Sequence, residues 1–143
     1  MGLSRAMDIS LSGLDAQRIT MELIASNIAN INTTRTVYGG PYRRRVPVMG
    51  EKPITFAEQL SRAERKLQGG GVEVQAVVED SAPFQKVYKP GHPDADENGF
   101  VSLPNVDLSK EMVDLMYSSR LYEANITAYN ASKKMIQDTL QLQ

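Results

Sequence analysis

Asp94, Asp96, Asn98 and Gly99 occupy the first, third, fifth and sixth positions of the loop with which EF-hand proteins hold calcium. Oxygen donors at alternate positions suit a hard cation. The twelfth position, however, is Asn105 where that loop needs a bidentate glutamate, and Pro90 and Pro93 forbid the helix that should enter it. The expected structure is a turn with solvated carboxylates. His92 is the only histidine, so any histidine-dependent triad or metal site must use it. It sits between Gly91 and Pro93, neither Ser81 nor Ser102 carries a nucleophile signature, and a structural turn residue is the expected role. Gly69-Gly70-Gly71 lacks the lysine and Ser/Thr of a phosphate loop and reads as a linker. Arg43-Arg44-Arg45, with Arg35 nearby, is the one concentrated positive charge, enough for a solvated strand or an inter-subunit contact. Sequons begin at Asn32, Asn125 and Asn130, but the last two fall inside an expected helix, away from the loops that acceptor sites prefer. No cysteine is present, which removes thiolate nucleophiles and thiolate metal sites. The residues therefore indicate no catalytic, cofactor or metal site, no small-molecule substrate, and a protein that is not an enzyme.

Stronger order lies in the elements that carry these residues. From Leu108, alternating steps of four and three give Leu108, Met112, Leu115, Ser119, Tyr122, Ile126, Tyr129, Lys133, Ile136 and Leu140, eight of the ten apolar. One apolar residue per 3.5 positions keeps a seam on one side of a helix. The N-terminus repeats the pattern through Leu3, Met7, Ser10, Leu14, Gln17, Met21, Ile24, Ile28 and Ile31. Second rows, Ile9, Ala16 and Leu23 at one end and Leu121, Ala128, Met135 and Leu142 at the other, lie away from these seams. The expectation is an antiparallel pair of long, coiled-coil-like terminal helices whose surplus rows face other molecules. Ser119 and Lys133 would act as polar register markers.

All seven prolines and eight of the ten glycines fall between Gly39 and Pro104. This contrast divides the chain into an N-terminal axial helix (1–34), a middle lobe (35–104) and a C-terminal axial helix (105–143). In the middle, Tyr42 to Met49 reads as extended and Phe56 to Leu67 as a short helix. Val72 to Val78 alternates as a half-buried strand, and Phe84 to Tyr88 and Phe100 to Leu103 read as further strands around the turn Lys89 to Pro93. A small antiparallel sheet is expected, with Asn105 or Asp107 capping the last helix. The fold class is mainly α with a small β region. Gly13 is a soft spot within the first helix, costing about 1 kcal/mol relative to alanine.

In 143 residues the formal charge is −1, which argues against nucleic acid or an anionic membrane as partner. No run approaches the ~18 apolar residues of a membrane span, and the first residues do not read as a cleaved secretory signal.

Ala25-Ser26-Asn27-Ile28-Ala29-Asn30-Ile31-Asn32-Thr33-Thr34 resembles the N-terminal motif shared by bacterial flagellar rod, hook and hook-associated proteins. Ser118-Ser119-Arg120-Leu121-Tyr122-Glu123-Ala124-Asn125, with Thr127 to Asn130 and Met135, resembles their C-terminal motif. The stretches Gly39 to Arg45, Tyr88 to Asp96, Asn98-Gly99 and Pro104 to Val106 are similar to the proximal rod members of that family. The motif residues carried over are Asn27, Asn30, Asn32, Thr33, Arg120, Tyr122, Glu123, Ala124 and Asn125. The resemblance implies a structural subunit of the basal-body rod, the torque-transmitting drive shaft for motility. It implies export by the flagellar type III apparatus without a cleaved signal and assembly across the periplasm. Implied partners are other copies of the chain and the rod proteins FliE, FlgB, FlgF and FlgG, close to the MS-ring. On this reading the apolar members of both helical rows are subunit-interface residues. The alternative is a self-contained coiled-coil interaction module with no filament role.

Overall fold

The computed structural model describes residues 2–52 and 70–141; the helix expected over Phe56 to Leu67 and the outer-row Leu142 lie outside them. Two helices dominate. Helix α1 spans Gly2–Ala29 and α2 spans Leu108–Gln141. With 28 and 34 residues they extend ~42 Å and ~51 Å. Between them come strands β1 (Arg45–Glu51), β2 (Val72–Glu79), β3 (Gln85–Tyr88) and β4 (Phe100–Leu103). Among the described residues the strands form two separate antiparallel ribbons, β1 with β2 and β3 with β4, and not the single sheet expected.

The helix ends follow from local chemistry. Asp107 caps α2: its Oδ1 accepts from the Ser109 and Lys110 N–H groups at 2.9 and 3.4 Å, and its carbonyl accepts from the Glu111 N–H. Asn105, the other candidate, is committed elsewhere. Its Oδ1 accepts from the Arg44 N–H at 2.8 Å while its Nδ2 donates to the Asp80 and Ala82 carbonyls, so it joins β1, β2 and the entry to α2. At the end of α1, the Ser26 carbonyl accepts from both the Asn30 N–H and its Nδ2, the Asn30 Oδ1 accepts from the Thr33 hydroxyl, and the Ile31 N–H turns to the Ile28 carbonyl, tightening the last turn.

α1 packs against α2 and, on a second side, against the β1–β2 ribbon. The ribbon reaches α1 at its Glu51–Val72 end, where the Val72 N–H donates to the Ser12 hydroxyl at 3.1 Å. Gly71 there holds φ 98°, and a Cβ on it would press on Ser12, so only glycine suits the crossing. The half-burial expected of β2 is met at Val74, whereas Val72, Val77 and Val78 stand 40% or more exposed. A two-stranded ribbon with a bulge at Val48/Met49 has too little neighbouring structure to cover a face.

Candidate assembly surface

The helix pair is antiparallel. Asn27 meets Glu111 through a 3.1 Å hydrogen bond, and fourteen residues back along α1 a Cβ at Gly13 would lie 2.9 Å from the Asn125 amide, fourteen residues forward along α2. Seven-residue steps in this register set Thr20 opposite Ser118 and Ala6 opposite Ser132. The inward row of α2 is therefore Glu111, Leu115, Ser118, Tyr122, Asn125, Tyr129, Ser132 and Ile136, all buried or half-buried. Half of it, Leu115, Tyr122, Tyr129 and Ile136, coincides with the row read from apolar spacing. The other half is polar or small. Apolar periodicity could not signal it, because close approach at Gly13 needs small or polar side chains across from it and not large apolar ones.

The remaining members of the apolar row, Leu108 apart, fall one residue further round α2, on its flank. Met112 is 52% exposed, Ile126 36% and Leu140 67%, with Lys133 exposed and Ser119 half-buried, while Leu108, in phase with Leu115, is 45% exposed at the first residue of the helix. In α1 the same division holds. Ile24 is buried, Met7, Leu14, Met21, Ile28 and Ile31 are partly exposed, and the Leu3 side chain is outside the described residues. One residue on from the Gly13 and Asn27 line, Met7, Leu14, Met21 and Ile28 make a flanking row, and on α2 Met112 and Ile126 do the same one residue on from Glu111 and Asn125. In an antiparallel pair these rows lie on one common side. The β1–β2 ribbon covers the opposite flank, where Ala16 is buried and Ile9 approaches Gly71.

At the end of the pair nearest the middle of the chain sits a polar node. Asn27 is 1% exposed and uses its whole hydrogen-bonding capacity. Its Nδ2 donates to the Arg45 carbonyl at 2.9 Å and to Glu111 Oε2, and its Oδ1 accepts from the Arg45 N–H and the Tyr42 hydroxyl, both at 2.9 Å. Glu111 is fully buried and receives Arg44 Nε at 2.5 Å. The same guanidinium lies 3.6 Å from Asp80 and 3.3 Å from Asp114. One cation thus faces three carboxylates and, together with Asn27 of α1, ties α1, the start of β1, the end of β2 and the first turns of α2. For Arg44 the expectation is a solvated strand or an inter-subunit contact; its side chain is instead 13% exposed within the chain, held by the buried Glu111. Arg43 also turns inward, stacking 4.4 Å over the Phe84 ring and donating to the Asp80 carbonyl. Sequence reasoning missed Glu111, Arg44 and Tyr42 as a unit, and the sole signal was a charge in a helix's first turn on the side that faces inward.

The other motif residues separate by role. Asn30 and Thr33 shape the exit from α1, Asn125 fills the space at Gly13, and Tyr122 lies half-buried in the seam. Asn32, Arg120, Glu123 and Ala124 face outward, Arg120 and Glu123 pairing at 3.5 Å along the helix.

The acidic turn is engaged with the chain itself. Asp96 Oδ1 accepts from the Asn98 and Phe100 N–H groups, and Asp94 accepts from the Thr34 hydroxyl at 2.8 Å and lies 3.9 Å from Arg35. His92 Nδ1 accepts from the Asp94 N–H at 3.1 Å, as a turn residue does. Among the described residues no group of three or more acidic or histidine side chains is arranged to hold a metal, and no helix is long and apolar enough to cross a membrane.

What this geometry offers is surface. Among the described residues five hydrophobic side chains are buried, Ala16, Ile24, Tyr42, Val101 and Val106, against nineteen large ones that are exposed. Comparison with known proteins gives the same architecture a family. The model described as flagella basal body rod protein matches residues 7–35, and that described as flagellar basal body rod FlgEFG protein C-terminal matches residues 97–142. The chain is 43% identical to the flagellar basal-body rod protein FlgC of Bacillus subtilis over 96% of its own length and 95% of that protein's. It is 40% identical to those of Borreliella burgdorferi, over 98% and 97%, and of Salmonella typhimurium, over 99% and 98%. The chain belongs to the FlgC family of flagellar basal-body rod proteins.

Proposed function

We propose that copies of this chain pack side by side around the rod axis through the flanking rows of their terminal helices, and that this packing carries torque. A structural subunit of the basal-body rod has to hold its neighbours by burying area on them. The observation that carries the reading is the excess of exposed apolar side chains, among them Met112 and Ile126 on α2, beside the partly exposed Met21 and Ile28 on α1. Each large apolar group withdrawn from water on assembly contributes about 1.5–3 kcal/mol. Segments 1–34 and 105–143 act as the axial helices, and 35–104 as a lobe that adjusts to unlike neighbours. The interface residues are the apolar members of both rows that the chain leaves accessible. FliE, FlgB, FlgF and FlgG are the proposed neighbours, close to the MS-ring, in a rod that spans the periplasm after export by the flagellar type III apparatus without a cleaved signal. The family resemblance supports these assignments. The test is incorporation of variants into basal bodies purified from cells lacking the native copy: Ile126→Lys and Ile28→Lys are expected to abolish it, while His92→Ala leaves it intact. Normal incorporation of both lysine variants would refute the packing proposed.

A further inference from the structure

Two further clusters of large apolar side chains are exposed, the second sharing Met112 with the flanking row of α2. The first is the tip of the loop after α1, where Val37 is 99% and Tyr38 96% exposed, although loop tips ordinarily carry small polar residues. The loop is well braced. The Gly39 N–H donates to the Thr36 carbonyl at 3.0 Å, the Thr36 N–H to the Gly40 carbonyl at 2.8 Å and the Thr36 hydroxyl to the Gly39 carbonyl at 3.2 Å. The Tyr42 N–H, donating to the Thr33 carbonyl, closes its base. Gly39 and Gly40, at φ 84° and 75°, supply the left-handed backbone that the reversal requires. The valine and tyrosine are thus held out on a hydrogen-bonded turn, ordered before any partner arrives.

The second cluster is the outer face at the start of α2: Met112, Val113, Met116 and Tyr117, each more than half exposed. Further along that face come Arg120, Thr127 and Lys134, so the apolar character is confined to the first turns.

We propose that the Val37–Tyr38 tip of one copy seats on the Met112–Tyr117 face of a second copy, a contact that rests on the side-by-side assembly described above. Unbranched methionine side chains adapt to an inserted ring and make favourable sulfur–aromatic contacts, and tyrosine is a frequent anchor of interfaces. Charge permits the contact. Beside the tip the exposed Arg35 and Arg45 stand against Asp94 and Glu79, and the edge of the face carries Asp107 and Asp114 against Lys110, with Arg120 beyond it held to Glu123. Tip and face lie at the same end of the molecule, since Arg44 near the loop's base reaches Asp114 on α2, yet neither is covered by the other within one chain. Set around the rod axis, the contact runs head to tail from one copy to the next and is therefore heterologous.

The chain has no cysteine, so Tyr38→Cys and Met116→Cys place the sole thiols. In cells lacking the native copy and expressing both variants, oxidation of purified basal bodies is expected to join one variant to the other, with no such product when either is expressed alone. A Tyr38→Cys chain linked to itself or to a different protein, or unlinked in basal bodies that contain both variants, overturns the proposal. As an independent measure, Tyr38→Asp and Met116→Asp are each expected to lower incorporation by roughly tenfold or more, and wild-type incorporation of either overturns it as well. Failure of the assembly reading itself would look different: the unmodified chain would be missing from the purified basal bodies.

Discussion

Asn27 and Glu111 decide how the two ends of the chain meet. Breaking a buried ion pair leaves a charge without compensation and costs about 3–5 kcal/mol, whereas removing both partners is far milder. Arg44→Met is therefore expected to be the most damaging change at the node, since the fully buried Glu111 loses its cation. Adding Glu111→Leu should recover most of the loss. Urea unfolding followed by helicity at a fixed protein concentration measures both, and equal losses for the single and double variants would contradict the assignment. Asn27→Asp should be worse than Asn27→Ala, because a carboxylate would stand where an amide now donates to Glu111. The sequence made Asn27 visible as part of a motif but not its task. A motif gives residue types, and the four bonds of Asn27 depend on Tyr42, Arg45 and Glu111, the last of them 84 positions away.

At the scale of the elements, the long helices were legible because apolar spacing and the absence of proline constrain them locally. Their contact was half legible. Leu115, Tyr122, Tyr129 and Ile136 follow the apolar rule, but Ser118, Asn125 and Ser132 follow from closeness of approach, which is a property of the pair and not of either helix. Gly13 shows the difference. Taken alone it is a weak point of α1, yet a Cβ there would crowd Asn125. Gly13→Ala should therefore fall short of the ~1 kcal/mol gain expected from helix propensity, and Gly13→Ala with Asn125→Ser should recover it, as thermal unfolding would show. Asp107→Ala should cost about 1 kcal/mol by uncapping α2. The strands were read close to their true positions, but not their separation into two ribbons. Alternation along one strand says nothing of which strand lies beside it.

For the molecule as a whole, the exposed apolar rows and the small set of buried hydrophobics point one way: much of what stabilises this chain comes from its neighbours. Deleting Ile126 to Gln143 removes nearly half of the helix that carries Ile126, Tyr129, Ile136 and Leu140, and is expected to abolish both incorporation and swimming. A self-contained coiled-coil module would behave differently, melting cooperatively as a lone monomer. The most direct measurement is the helicity and association state of the purified chain over a wide range of concentration, alone and mixed with candidate rod proteins. The account predicts that helical content and thermal midpoint rise with concentration or on mixing. A rigid monomer, fully helical and unchanged by dilution or by any of those proteins, would contradict it.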